Sequence, residues 1–335
     1  MAIEPSTDSP VNPLAGGLLA DAELASQVRL LAAGHMQPCQ PALLALLTEL
    51  RLEFELVEQQ VRLLAPLELL DEAGIIGGLQ EPARALLSEL HLHWSIDSTN
   101  TYLLKFAGAQ SGRTGRQSFH GTVCLAERQM AGKGRRGKHW VSPFGTNIAL
   151  SIGWRFALPV AAIGGLSLMA GMQVVKTLRA LGVDDIGLKW PNDVLMGQGK
   201  LAGILVEVVP AAGATDVVMG IGINLSLSAV DADGIDQAWS VIPATAGLSR
   251  NRLCQALLDN LLPALAEFSE TGFAPYAAQW PTYNLYRNQL VQVSLGAQII
   301  RGVDEGIDES GQLLLRTADG IRAFNAGEVS LRLAN

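Results

Sequence analysis

Between Glu127 and Asp184 the chain carries not one Asp or Glu, yet it carries Arg128, Lys133, Arg135, Arg136, Lys138, Arg155, Lys176 and Arg179. Five of these eight cations fall between positions 128 and 138, threaded with glycine in Gly132-Lys133-Gly134-Arg135-Arg136-Gly137. Glycine lets backbone N–H groups approach an anion closely and tolerates positive φ. Guanidinium groups clamp carboxylate or phosphate through paired hydrogen bonds, while an ammonium acts as a point charge. A basic run is usually a solvated face. With its glycines, this one is a candidate ligand loop whose positive potential suits a polyanion.

The same hexapeptide matches GxGxxG, and the match misleads. A dinucleotide turn needs a helix directly after it and an acidic residue about 20 positions on. Here the chain continues as KHWVSPFGTN, where Pro143 and Gly145 break any helix, and no carboxylate follows before Asp184. A nicotinamide-binding fold is therefore excluded. Trp140 and the Ser142–Gly145 turn offer a flat surface for a ring. The loop fits a nucleotide together with a carboxylate and identifies neither by itself.

The rest of the chain reads as α+β. Residues 20–72 read as short Leu-rich helices ending in a small hairpin, and 73–110 as helical with a break around His93–Ile96. Strands are expected at Thr122–Ala126, Asn147–Phe156, Ile186–Trp190, Val194–Met196, Leu201–Val209 and Val217–Ile223. Helices are expected at 161–181, stopped by Gly182, and across 250–280. From Asn288 onward, short alternating runs separated by Gly296, Gly306, Gly311, Gly320 and Gly327 predict a small β-barrel. At 335 residues two or three domains are expected. The divisions read as 1–75, 76–283 and 284–335.

Composition excludes other classes. Hydrophobic residues at 49% and charged ones at 17% rule out a disordered or fibrous chain. The most apolar stretch, 161–175, is short and holds Gly, Ser and Gln, so it reads as a buried helix and no membrane partner is expected. The start MAIEPSTDSPVNP lacks the basic and apolar runs of a signal peptide. Cys39, Cys124 and Cys254 are odd in number and far apart, which fits a reducing cytoplasm. Residues 1–90 hold four basic and thirteen acidic groups, a net −9, against 20 basic and 19 acidic in the remainder, a net +1. Such an N-terminal module repels phosphates rather than neutralising them.

A second constellation is Lys189-Trp190-Pro191-Asn192-Asp193. Pro191 cannot continue a ladder, so Asn192 and Asp193 project from a strand end. A carboxylate there suits Mg²⁺, a hard cation, and an ordinary Asn-Asp turn is the equal alternative. Lys200 follows two glycines and precedes Ala202-Gly203, small residues that permit close approach by a ligand.

Taken in order, Asp97-Ser98-Thr99-Asn100, Ala126-Glu127-Arg128-Gln129 running into GKGRRGKHWVSPFGTN, KWPNDV, GKLAGILVE, GIGIN and GEVSLR make residues 92–335 resemble a biotin–protein ligase of the bacterial bifunctional ligase/repressor type. The resemblance implies a central mixed β-sheet with helices, like a class II aminoacyl-tRNA synthetase, a small SH3-like C-terminal barrel, and a winged-helix-like N-terminal module that is truncated here. It implies the activity of a biotin–[acetyl-CoA-carboxylase] ligase. Biotin and ATP, with Mg²⁺, give biotinyl-5′-AMP and pyrophosphate; biotin then passes to one lysine of the biotin carboxyl carrier protein of acetyl-CoA carboxylase. No tightly held prosthetic group is implied.

By motif, Ser98, Thr99, Asn100, Gln129, Lys133, Gly134, Arg135 and Lys200 match biotin-contacting positions. Arg135, Arg136, Trp140, Asn192 and Asn224 match positions near the nucleotide, with Trp140 stacking on adenine. Lys200 would sit between the biotin carboxylate and the α-phosphate, with Arg135 as the other catalytic group. Asp193 would be the metal ligand, and Glu328 and Arg332 the C-terminal domain's contribution to closure. Lys133 stands where the commoner pattern has Arg, keeping the charge without the forked donors, so altered affinity rather than lost activity is expected.

Members of this family can pair through the central sheet on binding adenylate, so a homodimer is the oligomer it allows. The N-terminal segment Gln27–Pro66 resembles a shortened winged helix-turn-helix. Its presumptive groove helix, QPALLALLTELRLE, contains a single Arg, which disfavours operator binding. Two alternatives remain open at this point, a ligase that also represses and a lipoate-attaching ligase.

Overall fold

The structure, a computed structural model, describes residues 21–109, 119–211, 213–227, 231–233, 235–296, 298–327 and 329–334. Glu328 lies outside the described residues.

The N-terminal part starts with α1 (Ala22–Ala32), capped by Asp21, whose carboxylate accepts from Glu23 N at 2.8 Å. Leu24, Val28 and Leu31, spaced for one helical face, are buried. After β1 (Gln37–Pro38) comes α2 (Pro41–Glu49), with Pro in its first turn and Leu43, Leu46 and Leu47 buried. The hairpin β2 (Phe54–Val57) and β3 (Gln60–Leu63) completes a three-stranded sheet in the order β1-β3-β2. Only residues 50–53 separate α2 from β2, which leaves no room for another helix.

Two short helices, α3 (Glu72–Gly78) and α4 (Glu81–Leu86), lead to β4 (Glu89–His93). The sequence reading placed helix here. The strand forms because Glu89-Leu90-His91-Leu92-His93 alternates polar and apolar, period two, and pairs in parallel with β5 (Thr122–Ala126). Between them lies α5 (Thr99–Ala109). The chain continues through β6 (Ile148–Phe156), α6 (Leu166–Ala180), β7 (Ile186–Lys189), β8 (Asp193–Met196), β9 (Gly199–Ala211) and β10 (Ala214–Ile223). These make one seven-stranded sheet, ordered β4-β5-β6-β10-β9-β8-β7, antiparallel apart from the β4–β5 pair.

The long helix α7 (Arg250–Thr271) packs with α6 on one face of that sheet, and α5 covers part of the other. Residues 160–180 are long and apolar enough to span a membrane by composition. Instead a 3-10 turn and α6 occupy them, and Leu166, Met169, Val174 and Leu178 are buried in the main core.

After α8 (Ala274–Ala277), the linker joins the far edge of the sheet: Leu188 N donates to Tyr283 O at 2.7 Å and Leu285 N to Leu188 O at 3.0 Å. The C-terminal part is an antiparallel five-stranded sheet of β11 (Leu290–Leu295), β12 (Gln298–Ile307), β13 (Leu313–Thr317), β14 (Gly320–Phe324) and β15 (Val329–Leu333), ordered β14-β13-β12-β11-β15. Trp190 ties the two together, its indole N–H donating to Gly311 O at 3.0 Å.

Candidate active site

The first wall of the site is the N-terminal end of α5. Ser98, Thr99 and Asn100 are all buried there. Gln129 Oε1 accepts from Thr99 N at 2.9 Å and Thr99 Oγ1 at 3.1 Å. Ser151, on β6, donates to Asn100 Oδ1 at 2.6 Å and lies 2.7 Å from Thr99 Oγ1. The other end of the Asn100 amide donates to Glu207 Oε2 at 2.8 Å. Buried polar groups need such partners, and this chain of bonds fixes three donors and acceptors at a helix start.

The glycine-rich loop closes a second side. It folds back on itself: Trp140 N donates to Gly132 O at 2.8 Å and Gly134 N to Lys138 O at 2.7 Å, around a tight 3-10 turn at Arg135–Gly137. Arg136 and Gly137 take positive φ, 59° and 72°. The loop therefore forms a hairpin-like flap rather than the start of a helix. Trp140 presses on a cross-strand glycine pair, Gly203 of β9 and Gly222 of β10. A Cβ on Gly222 would stand 2.4 Å from the indole, and one on Gly203 would meet it at 3.2 Å. Only glycine at 222 permits that approach. The Lys200 ammonium lies 5.4 Å from the same ring centroid.

The third side is cationic. Asp193 Oδ1 is held by Lys200 at 2.6 Å and Oδ2 by Lys189 at 2.7 Å. Burial opposes the charge on Asp193, but the Lys200 and Lys189 ammonium groups outweigh it and hold the carboxyl below the usual carboxylate range. Arg135 donates to Asn192 Oδ1 at 3.0 Å, to Gly327 O at 3.2 Å and to Ala326 O. The flap is thus bonded to the C-terminal part through backbone carbonyls.

One cavity is lined by Ser98, Thr99, Asn100, Gln129, Lys133, Gly134, Arg135, Trp140, Asn192 and Lys200, together with Leu150, Gly203–Leu205 and Gly220–Gly222. The other sequence-derived candidates fall elsewhere. Arg136 faces an outer cleft formed by residues 130–139, Leu205 and Glu207. The Asn224 amide is committed to Lys200 O and Ser240 O, 3.3 Å each, so it secures the strand that bears Lys200. Arg332 is exposed on β15, opposite Gln292. Asp193 does not fit a metal ligand, since both its oxygens are taken by lysines and a cation would have to displace one. Among the described residues no cluster of three His, Cys, Asp or Glu is placed to hold a metal ion.

Sequence reasoning passed over Ser151, Glu207 and Lys189, and the partners of Arg135 at 326 and 327. The alternation Gly220-Ile221-Gly222 was the readable signal for a surface that something approaches closely. Lys189 and Glu207 were already inside the two quoted motifs, but which neighbour each would meet depends on cross-strand register.

Behind the flap the N-terminal part is built in. Phe144 belongs to its core with Leu24, Val28 and Leu47, and Leu67 fills the space above Gly145. Arg128, next to Gln129, pairs with Glu49 at 3.4 Å. Deeper, Arg250 at the start of α7 bonds Glu127 Oε2 at 2.7 Å, Glu68 O at 2.7 Å and Asn147 O at 2.9 Å, while Glu127 Oε1 accepts from Leu70 N at 2.5 Å. Glu127 and Arg250 are 2% and 5% exposed, a buried ion pair tying the linker to the sheet.

Residues 92–224 match the Biotin/lipoate A/B protein ligase family, and residues 288–332 match the Biotin protein ligase C terminal domain. The chain is 40% identical over 271 residues to the bifunctional ligase/repressor BirA of Escherichia coli, covering 80% of each protein. The chain belongs to the biotin protein ligase family. This ligase is also 37% identical over 238 residues to the biotin--[acetyl-CoA-carboxylase] ligase of Mycobacterium tuberculosis, 69% of this chain and 85% of that one. Its fold overlays the biotin protein ligase of Aquifex aeolicus in complex with biotin and ATP, with a TM-score of 0.60 and 25% identity, over 73% of this chain and 99% of that one. The first matched region ends at Asn224 and holds every residue that lines the cavity.

Proposed function

We infer that this ligase activates biotin with ATP as biotinyl-5′-AMP and then transfers it to a lysine of a biotin carboxyl carrier domain. The observation that carries this reading is the single cavity where the buried polar cluster of Ser98–Asn100 and Gln129 faces Lys200, Arg135 and Trp140. In the first step a carboxylate oxygen attacks the α-phosphorus and the bond to the β-phosphate breaks, releasing pyrophosphate. No proton moves. Two anions must meet, so cations fixed where charge accumulates supply the largest effect. Lys200 and Arg135 are those groups, and the chain of bonds through Gln129, Thr99 and Asn100 holds polar atoms for the ureido end of biotin. In the second step the lysine amine displaces AMP from the acyl carbon and loses one proton to solvent or a nearby base.

Magnesium would enter with the ATP phosphates, and no step here is routed through it. Three cysteines and ATP use favour the cytoplasm as its place of work. The C-terminal order β15-β11-β12-β13-β14 supports an SH3-like topology, and divisions near 75 and 283 fit the three separate sheets.

The order α1, β1, α2, β2, β3 supports a winged-helix relative one helix short, so that α2, read from the sequence as the groove helix, stands alone between β1 and β2 without a helix-turn-helix partner. The net −9 charge of residues 1–90 and the burial of Phe144 in this core favour a brace for the flap over an operator-binding domain.

The test combines the protein with biotin, ATP, Mg²⁺ and a carrier domain, and probes the carrier for biotin. Labelled carrier supports the reading; labelling only when lipoate replaces biotin would turn it to the lipoate branch. Gly222→Ala bears on the nucleotide side. Its methyl would push Trp140 off the sheet, so KM for ATP is expected to rise about tenfold with a smaller change in biotin affinity. An unchanged KM for ATP would remove Trp140 from the adenine site.

A further inference from the structure

The assignment of Lys200 leaves its neighbour Lys189 without a task. Lys189 is outside the cavity wall. It ends β7 as the register partner of Asp193 across the Trp190-Pro191-Asn192 turn, which sets its ammonium 2.7 Å from Asp193 Oδ2. Lys200 holds Oδ1 at 2.6 Å, and Asp193 is only 7% exposed.

To meet a biotin carboxylate and an α-phosphate, Lys200 has to loosen its bond to Asp193. Were Lys200 the sole partner, the shift would strand a buried carboxylate beside two incoming anions, the costly half of breaking a buried pair. Lys189 removes that conflict by staying on the second oxygen. Other neighbours do not substitute for it. Arg135 feels the charge of Asp193, but its bonds run to Asn192 and to the carbonyls of Ala326 and Gly327 rather than to that carboxylate. Tyr286 feels it too, and burial together with that charge pushes its phenol up, but a phenol has no cationic form with which to neutralise a carboxylate.

We propose that Lys189 is a positioning residue that keeps Asp193 neutralised while Lys200 passes from Asp193 to the reacting anions. The proposal rests on the role given to Lys200 above. Lys189 touches no substrate and acts through the carboxylate.

The experiment measures single-turnover adenylate formation at saturating biotin and ATP, with biotin affinity by calorimetry as a separate readout. Lys189→Met is expected to slow adenylation at least about tenfold while biotin Kd stays within about threefold. Lys189→Arg, which keeps the charge, is expected to recover a rate within about threefold of the unaltered protein. In an Asp193→Asn background, where there is no charge to neutralise, Lys189→Met should cost less than about threefold more. Adenylation at the unaltered rate in Lys189→Met overturns the proposal. So does an Arg variant that folds and is as slow as Met. An unaltered protein that makes no adenylate from biotin and ATP overturns the ligase reading first, and this proposal with it; Lys189→Gln replaces Met if that variant does not fold.

Discussion

Lys200→Ala is expected to slow adenylate formation by roughly 10²–10³-fold, the usual cost of removing one group aimed at developing charge in a dry site. Its ammonium is 2.6 Å from Asp193 and 5.4 Å from the Trp140 ring centroid, and it lines the cavity with Arg135. The rest of the biotin cradle stays in place without it. Thr99, Gln129, Ser151 and Asn100 bond one another, and none of those bonds involves Lys200. Biotin Kd should therefore move little while the chemical step collapses, a split that marks a group engaged in the transition state. Asp193 keeps Lys189, so the variant should fold. Single-turnover rates within tenfold of the unaltered protein would contradict the assignment.

Arg250→Met is expected to destabilise the fold by about 3–5 kcal/mol, measured by urea unfolding, because it leaves the Glu127 carboxylate buried without its charge partner. Three other bonds are lost with it, to Glu68 O and, through two nitrogens, to Asn147 O. The site lies at the joint where the linker from the N-terminal part meets α7 and the end of β5. Loss of the joint should loosen the flap stem at Glu127–Gln129 too, so biotin affinity should fall along with stability. A loss below about 1 kcal/mol would show that water or a rotated side chain satisfies Glu127, and that the pair is not what fastens the linker. Arg250 and Glu127 are 123 positions apart in sequence, which is why their pairing is not visible from a motif alone.

Much of this is legible in the sequence. The apolar runs TVCLA and NIALSIGWRF gave buried strands because a strand covered on both faces needs no alternation. The loop with its three glycines and the absence of carboxylates announced an anion site, and Pro143 ruled out the helix that a dinucleotide turn requires. Ten of the residues that the motif resemblance singled out line one cavity. What the pattern did not yield was register. The strand at 89–93 was missed because two His in ELHLH disguised a period of two. Asn224 and Asp193 were placed near the ligand by motif, yet their side chains are consumed by neighbours, Asn224 by backbone carbonyls and Asp193 by two lysines. Those partners come from cross-strand pairing and from a bulge between Val194 and Leu195, which side-chain chemistry alone does not set. The brace formed by Phe144 was hidden for the same reason: one Phe in a loop says nothing about which core it enters.

The account stands most directly on whether the cavity makes and keeps a mixed anhydride. The purified protein is incubated with biotin and ATP labelled at the α-phosphate, passed through a desalting column, and then given a carrier domain. The account predicts label eluting with the protein only when biotin is present, at about one equivalent per chain, and released as AMP when the carrier lysine becomes biotinylated. Label that emerges as free nucleotide whether or not biotin is supplied, with an active carrier left unmodified, would contradict it.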